Sequence, residues 1–367
     1  MGRLILGRWV GDLYPGSFAL VMATGIVSIA CHLAGLVAVA WALFWVNHIA
    51  YTLLWLLTLA RLLGFLPKVV ADIADPGRGP GFLTMVAGTS VLSRQLSLLA
   101  GNDVLALALA VAATLLWALL IYGFLVGAIL RPEKPPPGRW VNGAWLLAVV
   151  ATQSVSLAWV GARSVLGLQD PIFLLMLALH LLGYVLYLML IGLILYQFVA
   201  FRLDPTLLTP TYWINMGAMA ITTLAGAVLV SLAPESALLQ AVLPFLQGLT
   251  ILAWAVATWW IPLLVVLFAW RHLVGKVGLY YDPQYWSMVF PLGMYSVCTF
   301  RLAQVTGFAF LQNLSQAFAY VAVAAWAAVF MGLARHILGE LQSAPVVRWE
   351  EADQPADLPP DNGPSPH

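Results

Sequence analysis

Ten apolar segments, each about as long as a helix needs to cross a bilayer, dominate this chain. They run near residues 14–34, 37–60, 81–101, 103–130, 141–161, 169–200, 211–232, 246–271, 285–308 and 313–338. A hydrocarbon core of roughly 30 Å takes about 20 residues of helix. Composition argues against a soluble protein with a large core. The chain is 62% hydrophobic and 8% charged, against about 25% charged residues in soluble domains. A chain so apolar cannot clothe itself in polar surface, so lipid has to be its outer solvent. In lipid the backbone must satisfy itself, and segments of this length do so as helices. The sixth segment is the longest and is expected to tilt or to project from the membrane.

The loops alternate in charge. Those after segments 1, 3, 5, 7 and 9 are short and nearly uncharged, whereas those after 2, 4, 6 and 8 are basic. Arg3, Arg8, Arg61, Lys68, Arg78, Arg131, Lys134, Arg139, Arg202, Arg271, Lys276, Arg335 and Arg348 fall on one side, thirteen of the 16 basic residues. Arg163 lies in a loop on the other side, and Arg94 and Arg301 sit within segments. Basic loops stay in the cytoplasm. Both termini are therefore expected there, with the protein a multi-pass component of the cell membrane. That topology needs an even number of spans, and ten satisfies it. The first segment follows Arg3 and Arg8, is long enough to span and lacks an A-x-A-like cleavage site, so it reads as a retained helix. Residues 1–340 form the transmembrane domain. Residues 341–367, with Pro345, Pro355, Pro359, Pro360, Pro364 and Pro366 among five acidic side chains, cannot bury enough apolar surface to order themselves and read as a disordered cytoplasmic tail.

The odd segments resemble one another. Segment 1 holds Pro15-Gly16-Ser17-Phe18 and Met22-Ala23-Thr24-Gly25, and segment 3 holds Pro80-Gly81-Phe82 and Met85-Val86-Ala87-Gly88-Thr89. Segment 5 has Asn142-Gly143-Ala144-Trp145 and Ala151-Thr152-Gln153, segment 7 has Met216-Gly217-Ala218-Met219 and Thr222-Thr223, and segment 9 has Phe290-Pro291-Leu292-Gly293-Met294. The even segments are mostly Leu, Ala, Val, Trp and Tyr. The repeat is a helix pair used five times, every copy in one orientation, which implies a parallel repeat about an axis along the membrane normal. Small residues and mild polar groups let helices pack closely and face a wet interior. The fold expected is all-α and integral to the membrane, ten transmembrane helices as five hairpins in a quasi-five-fold arrangement around a central pore.

Charge then decides what such a path carries. All 15 acidic residues fall in loops, tails or segment ends. Cation pores and proton-coupled carriers usually keep carboxylates at membrane depth. Arg94 and Arg301, toward the outer ends of segments 3 and 9, join Arg163 as outer groups that would attract anions. Snorkelling of each arginine to the interface is the competing reading. Phe18, Thr24, Phe82, Thr89, Trp145, Thr152, Gln153, Asn215 and Thr223 are pore-lining candidates, although such polar groups also bond across helices or back to a carbonyl one turn earlier. His48 and His180, on even segments, read as bonded to a neighbouring helix. Pro291 is expected to kink its helix, and Phe290 before it reads as a plug or as core packing.

Other classes of function find little support. No HExxH, no acidic pair at depth and no Cys/His cluster exist, so neither an enzyme nor a metal or cofactor site is expected. The two cysteines, Cys31 and Cys298, lack ligand spacing. With a net charge of +1 and no basic stripe, nucleic acid is not expected as a partner.

Several runs together carry a family resemblance. PGSFALVMATGIVS, FLTMVAGTSVLSRQL, NGAWLLAVVATQSV, YWINMGAMAITTLAG, ATWWIPLLVVLFAWRH and YWSMVFPLGMYSVCT, in that order, resemble the tellurite-resistance/dicarboxylate transporter family. That family includes the plant guard-cell slow anion channels, bacterial tellurite-resistance proteins, and fungal malate and sulfite permeases. The resemblance covers roughly residues 10 to 340. It implies five hairpins around a pore, a homotrimer with one pore per subunit, and a phenylalanine occluding the pore midway, matched here by Phe290. It implies a gated anion channel or channel-like permease for chloride, nitrate, sulfite, tellurite or dicarboxylates. The alternative is a proton- or gradient-coupled secondary transporter of malate-like dicarboxylates or sulfite. The plant members carry long phosphorylated termini; this chain has a short acidic one, so kinase gating does not carry over.

Overall fold

The computed structural model describes residues 7, 10–134, 140–161, 165–167 and 169–342. The tail expected at 341–367 falls almost wholly outside the described residues, and Arg163 lies outside them too. Among the described residues the chain is all-α. Its main helices are α1 (Ala19–Leu33), α2 (Val37–Ile73), α3 (Leu83–Ala100), α4 (Asp103–Leu130), α5 (Leu147–Ala158), α6 (Gln169–Ala200), α7 (Ile214–Leu232), α8 (Leu243–Ala269), α9 (Trp286–Thr306) and α10 (Phe310–Gln342). Eight helices are long and apolar enough to cross a membrane. α5 is too short for that test, and α9, at 21 residues, is too polar for it.

The repeat seen in the sequence has a structural cause. Each odd helix is entered through a 3₁₀ turn: Pro15–Phe18, Gly79–Phe82, Gly143–Leu146, Pro210–Trp213 and Pro283–Tyr285. Four of the five turns have proline in their first two positions, where its missing N–H costs nothing and its fixed φ suits a helical start. Three odd helices leave through glycine in the left-handed region, Gly35 (φ 80°), Gly101 (φ 63°) and Gly307 (φ 75°). A side chain there would be strained, so glycine permits the sharp reversal into the even helix.

Packing follows the pairs. α1 lies on α2, α3 on α4, α5 on α6, α7 on α8 and α9 on α10. The odd helices also touch in a closed cycle, α1–α3–α5–α7–α9 and back to α1, and their 3₁₀ turns make a matching cycle at one end. Hydrogen bonds reinforce both directions. Within hairpins, Ser28 donates to the Ala40 carbonyl (2.7 Å), Ser93 to Ala106 (2.7 Å), Ser156 to Met176 (2.8 Å) and Ser296 to Ser315 (2.8 Å). In the α7–α8 hairpin Gly226 takes over, leaving room for the Thr250 hydroxyl.

Between hairpins, an aromatic side chain on each even helix reaches the next odd helix. Tyr51 meets Thr89 (3.1 Å), Trp117 donates to Thr152 (2.9 Å), Trp254 to Thr299 (3.1 Å) and Trp326 to Thr24 (2.9 Å). Tyr187 donates instead to the Asn215 carbonyl (3.3 Å). The Trp326 bond joins the last hairpin to the first.

One element departs from expectation. The second segment was expected to end near residue 60, with Arg61 and Lys68 in a loop. Instead α2 continues to Ile73, with non-helical backbone at Phe65 (φ −138°, ψ 33°) just before Pro67. Proline removes a helical donor and crowds the preceding turn, which accounts for the break. Arg61 is buried because it has partners: its Nη2 lies 2.6 Å from Asp72 Oδ2, and its Nε donates to the Gly11 carbonyl.

Candidate functional site: two cavities on the helix axis

A cavity lies at each end of the closed cycle of odd helices. The far cavity, where the odd helices finish, has a volume of about 50 Å³. All five contribute: Ile26 and Leu33 from α1, Ser90 and Arg94 from α3, Ser154 from α5, Ile221 and Leu224 from α7, Met294, Val297 and Arg301 from α9. The near cavity, of about 410 Å³, opens among the five 3₁₀ turns and is lined by Tyr14, Arg78, Asn142, Gln197, Thr209 and Gln284 among others. Among the described residues neither lining includes a carboxylate.

Arg94 and Arg301, placed by sequence on different helices, are thus brought into one cavity. Arg301 also donates from Nη1 to Gln304 Oε1 (2.8 Å) and lines a shallower pocket between the far ends of α7 and α9. It therefore stands where the axis meets the surface. At the near end, Arg78 pairs with Asp72 (2.8 Å), the carboxylate that also holds Arg61. Tyr14 lines that mouth.

Phe290 is fully buried. It precedes Met294 by one helical turn, and Met294, Val297 and Arg301 all line the far cavity. Residues four apart share a helix face, so Phe290 lies on the same face of α9 as those cavity residues, although it lines neither cavity itself. By the same phase, Met22, Val150 and Gly217 fall at its level on α1, α5 and α7, and all are buried. α9 runs continuously through Pro291. The ring of Pro291 seats against Gly217, where an added Cβ would come within 2.7 Å of Pro291 Cγ.

The remaining candidates lie apart from the far-cavity lining. Thr24, Thr89 and Thr152 accept the even-helix aromatics described above. Thr89 and Thr152 also donate to the Met85 and Ala148 carbonyls (both 2.7 Å). Thr223 donates back to Met219 (2.8 Å). Gln153 and His180 hold each other: His180 Nδ1 lies 3.0 Å from Gln153 Oε1, and Gln153 Nε2 donates to the His180 carbonyl (3.0 Å). His180 is thus bonded to a neighbouring helix, and His48 Nδ1 sits 2.8 Å from the Phe44 carbonyl of its own helix. The Asn215 side chain is buried with neither polar atom paired. Phe18 packs on Tyr51 and Trp55, Phe82 borders an apolar crevice beside α2 and α4, and Trp145 packs on Phe124 while donating to the Pro76 carbonyl (2.9 Å).

Of the far-cavity lining, sequence reasoning picked out Arg94 and Arg301 and missed the two other polar residues, Ser90 and Ser154, along with the apolar wall. Ser90 had a signal, since it stands one turn before Arg94 on the same face. Ser154 had none.

Taken together these features define a multi-pass α-helical membrane protein with arginine-bearing, carboxylate-free cavities on the axis of a helix ring. The chain belongs to the SLAC1 family, described as voltage-dependent anion channel, which it matches over residues 12–334; this is the tellurite-resistance/dicarboxylate transporter family whose resemblance the motifs carry. It is 36% identical to an uncharacterized membrane protein of Mycobacterium tuberculosis over 146 residues, 40% of this chain and 74% of the relative. It is 28% identical over 126 residues to an uncharacterized transporter of Methanocaldococcus jannaschii, covering 34% of this chain and 35% of that one. A second transporter of the same organism is 25% identical over 132 residues. The family is one of anion channels and transporters, not of enzymes.

Proposed function

We propose that the chain is a gated anion channel or channel-like permease of the cell membrane, with ten spans and both termini cytoplasmic. Small anions would pass along the axis of the odd helices, and Phe290 would occlude the path between the two cavities. The observation that carries this reading is the far cavity, where Arg94 and Arg301 meet in a lining that, among the described residues, holds no carboxylate. A path through hydrocarbon that offers positive charge and hydroxyls suits anions and repels cations. The phase of Phe290 on α9 supports its role as the plug. Pro291, seated against Gly217, fixes where that side chain stands. Assembly as a homotrimer is carried by the family resemblance.

The deciding experiment is current across a planar bilayer holding purified protein under a salt gradient, for wild type and Phe290→Ala. The variant is expected to pass a large current that reverses near the anion equilibrium potential. Silence from both proteins, while labelled malate or sulfite still enters liposomes, would replace the channel by a coupled carrier. In the open background, Arg94→Ala and Arg301→Ala are expected to lower flux more at roughly 0.01 M salt than at roughly 1 M, where the Debye length shrinks from about 30 Å to about 3 Å. An equal loss at both ionic strengths removes these arginines from anion attraction.

A further inference from the structure

Ser90 and Ser154 are each 1% exposed. Among the described residues neither hydroxyl has a hydrogen-bond partner, and both line the far cavity. A buried hydroxyl without a partner is costly. Serine and threonine inside a helix ordinarily return their proton to a carbonyl one turn back, as Thr89 and Thr152 do on these same two helices. The serines Ser28, Ser93, Ser156 and Ser296 bond to their hairpin partners. Ser90 and Ser154 do neither.

We infer that Ser90 and Ser154 are direct ligands for an anion in the far cavity. The inference rests on the reading of the axis as an anion path and names the side chains that hold the ion there. Ser90 stands one turn deeper than Arg94 on the same face of α3. An anion drawn in by Arg94 and Arg301 meets the hydroxyls next. The walls at that depth are otherwise apolar, among them Ile221, Leu224 and Met294. An ion there sheds part of its water and needs donors in exchange. A hydroxyl supplies a donor without a full charge, so it holds an anion loosely enough to release it, as conduction requires.

The test is the chloride concentration that half-saturates conductance in the Phe290→Ala protein, with and without Ser90→Ala and Ser154→Ala together. Losing two donors to an ion is expected to raise that concentration at least roughly tenfold. Ser90→Thr with Ser154→Thr, which keeps both hydroxyls, is expected to restore it. An anion current with unchanged half-saturation in the double alanine variant would overturn the ligand assignment.

A second readout separates this site from the pore. The thermal unfolding midpoint of the protein with Phe290 intact is measured in chloride and in gluconate. If Phe290→Ala passes no current, yet chloride stabilises the protein and no longer does so after the double serine substitution, the site stands and the pore reading falls. If chloride stabilises neither, the site falls with it.

Discussion

The odd and even helices invert the rule that governs soluble proteins. Where α1, α3 and α7 would cross a membrane they are 78%, 78% and 94% buried, yet they carry much of the glycine, serine and threonine. The corresponding windows of α2, α4, α6, α8 and α10 are only 11–39% buried, and they are the Leu- and Trp-rich helices. The inner helices are held by close approach and hydrogen bonds. The outer ones present an apolar face to a solvent as apolar as themselves. Lipid provides no hydrophobic drive for helices to associate, so small residues and polar ties must supply it. Small residues therefore mark the inside here, because only they let five helices close a ring.

The sharpest way to break this comparison is to add one methyl group to each ring. At Gly143, in the 3₁₀ turn before α5, a Cβ would lie 2.5 Å from the Thr211 carbonyl oxygen and 2.6 Å from Tyr212 Cα. Both contacts are backbone and neither can swing away. Gly143→Ala is expected to cost about 2–3 kcal/mol, read as a lower unfolding midpoint in detergent and a smaller folded yield. At Gly192, in the outer helix α6, a Cβ meets nothing within 4 Å. Gly192→Ala is expected to leave the midpoint unchanged or raise it, since alanine is the better helix former. Equal effects at the two sites would mean that close approach does not distinguish the rings.

The same inversion explains what the sequence revealed. The helices and their pairing were legible because apolar length and loop charge are one-dimensional signals. The end of α2 was not. Arg61 reads as a loop residue until Asp72 and the Gly11 carbonyl are placed beside it, and that pairing is tertiary. The odd helices were recognisable as a set, but the facing of their side chains was not. A helix surrounded by protein has no exposed stripe to reveal its phase, and α7 is the extreme case. Thr24, Thr89 and Thr152 therefore stand among the pore-lining candidates of the sequence, and Ser90 and Ser154 do not. Only the positions of Trp326, Tyr51 and Trp117 show that these threonines meet the outer ring. Arg94 and Arg301 were easier to read, because charge within an apolar segment has few acceptable places to go.

Those aromatic ties sharpen the comparison at the next level of energy. The Tyr51 hydroxyl lies 3.1 Å from Thr89 Oγ1, whose own proton is committed to the Met85 carbonyl, so Tyr51 is the donor. Tyr51→Phe removes that bond and little else, with an expected cost of about 1 kcal/mol. Its effect should be non-additive with Thr89→Ala in a double-mutant cycle. Additive losses would show that the hairpins are joined by packing alone.

The smallest expected effect tests what the outer ring faces. Leu188 on α6 is 68% exposed. In water the loss of such a side chain from a contact would be felt, but lipid chains refill the space with equally apolar material. Leu188→Ala is therefore expected to change the unfolding midpoint by an amount equivalent to no more than about 0.5 kcal/mol and to leave the oligomer mass by light scattering unchanged. Met216→Ala, at a fully buried position on α7, is the matching control, with an expected cost of about 2–5 kcal/mol. If Leu188→Ala instead converts the assembly to monomers that stay folded, α6 packs against another subunit. The outer ring would then divide into a lipid-facing part and a part that builds the oligomer, and its apolar surface would owe its composition to two neighbours rather than one.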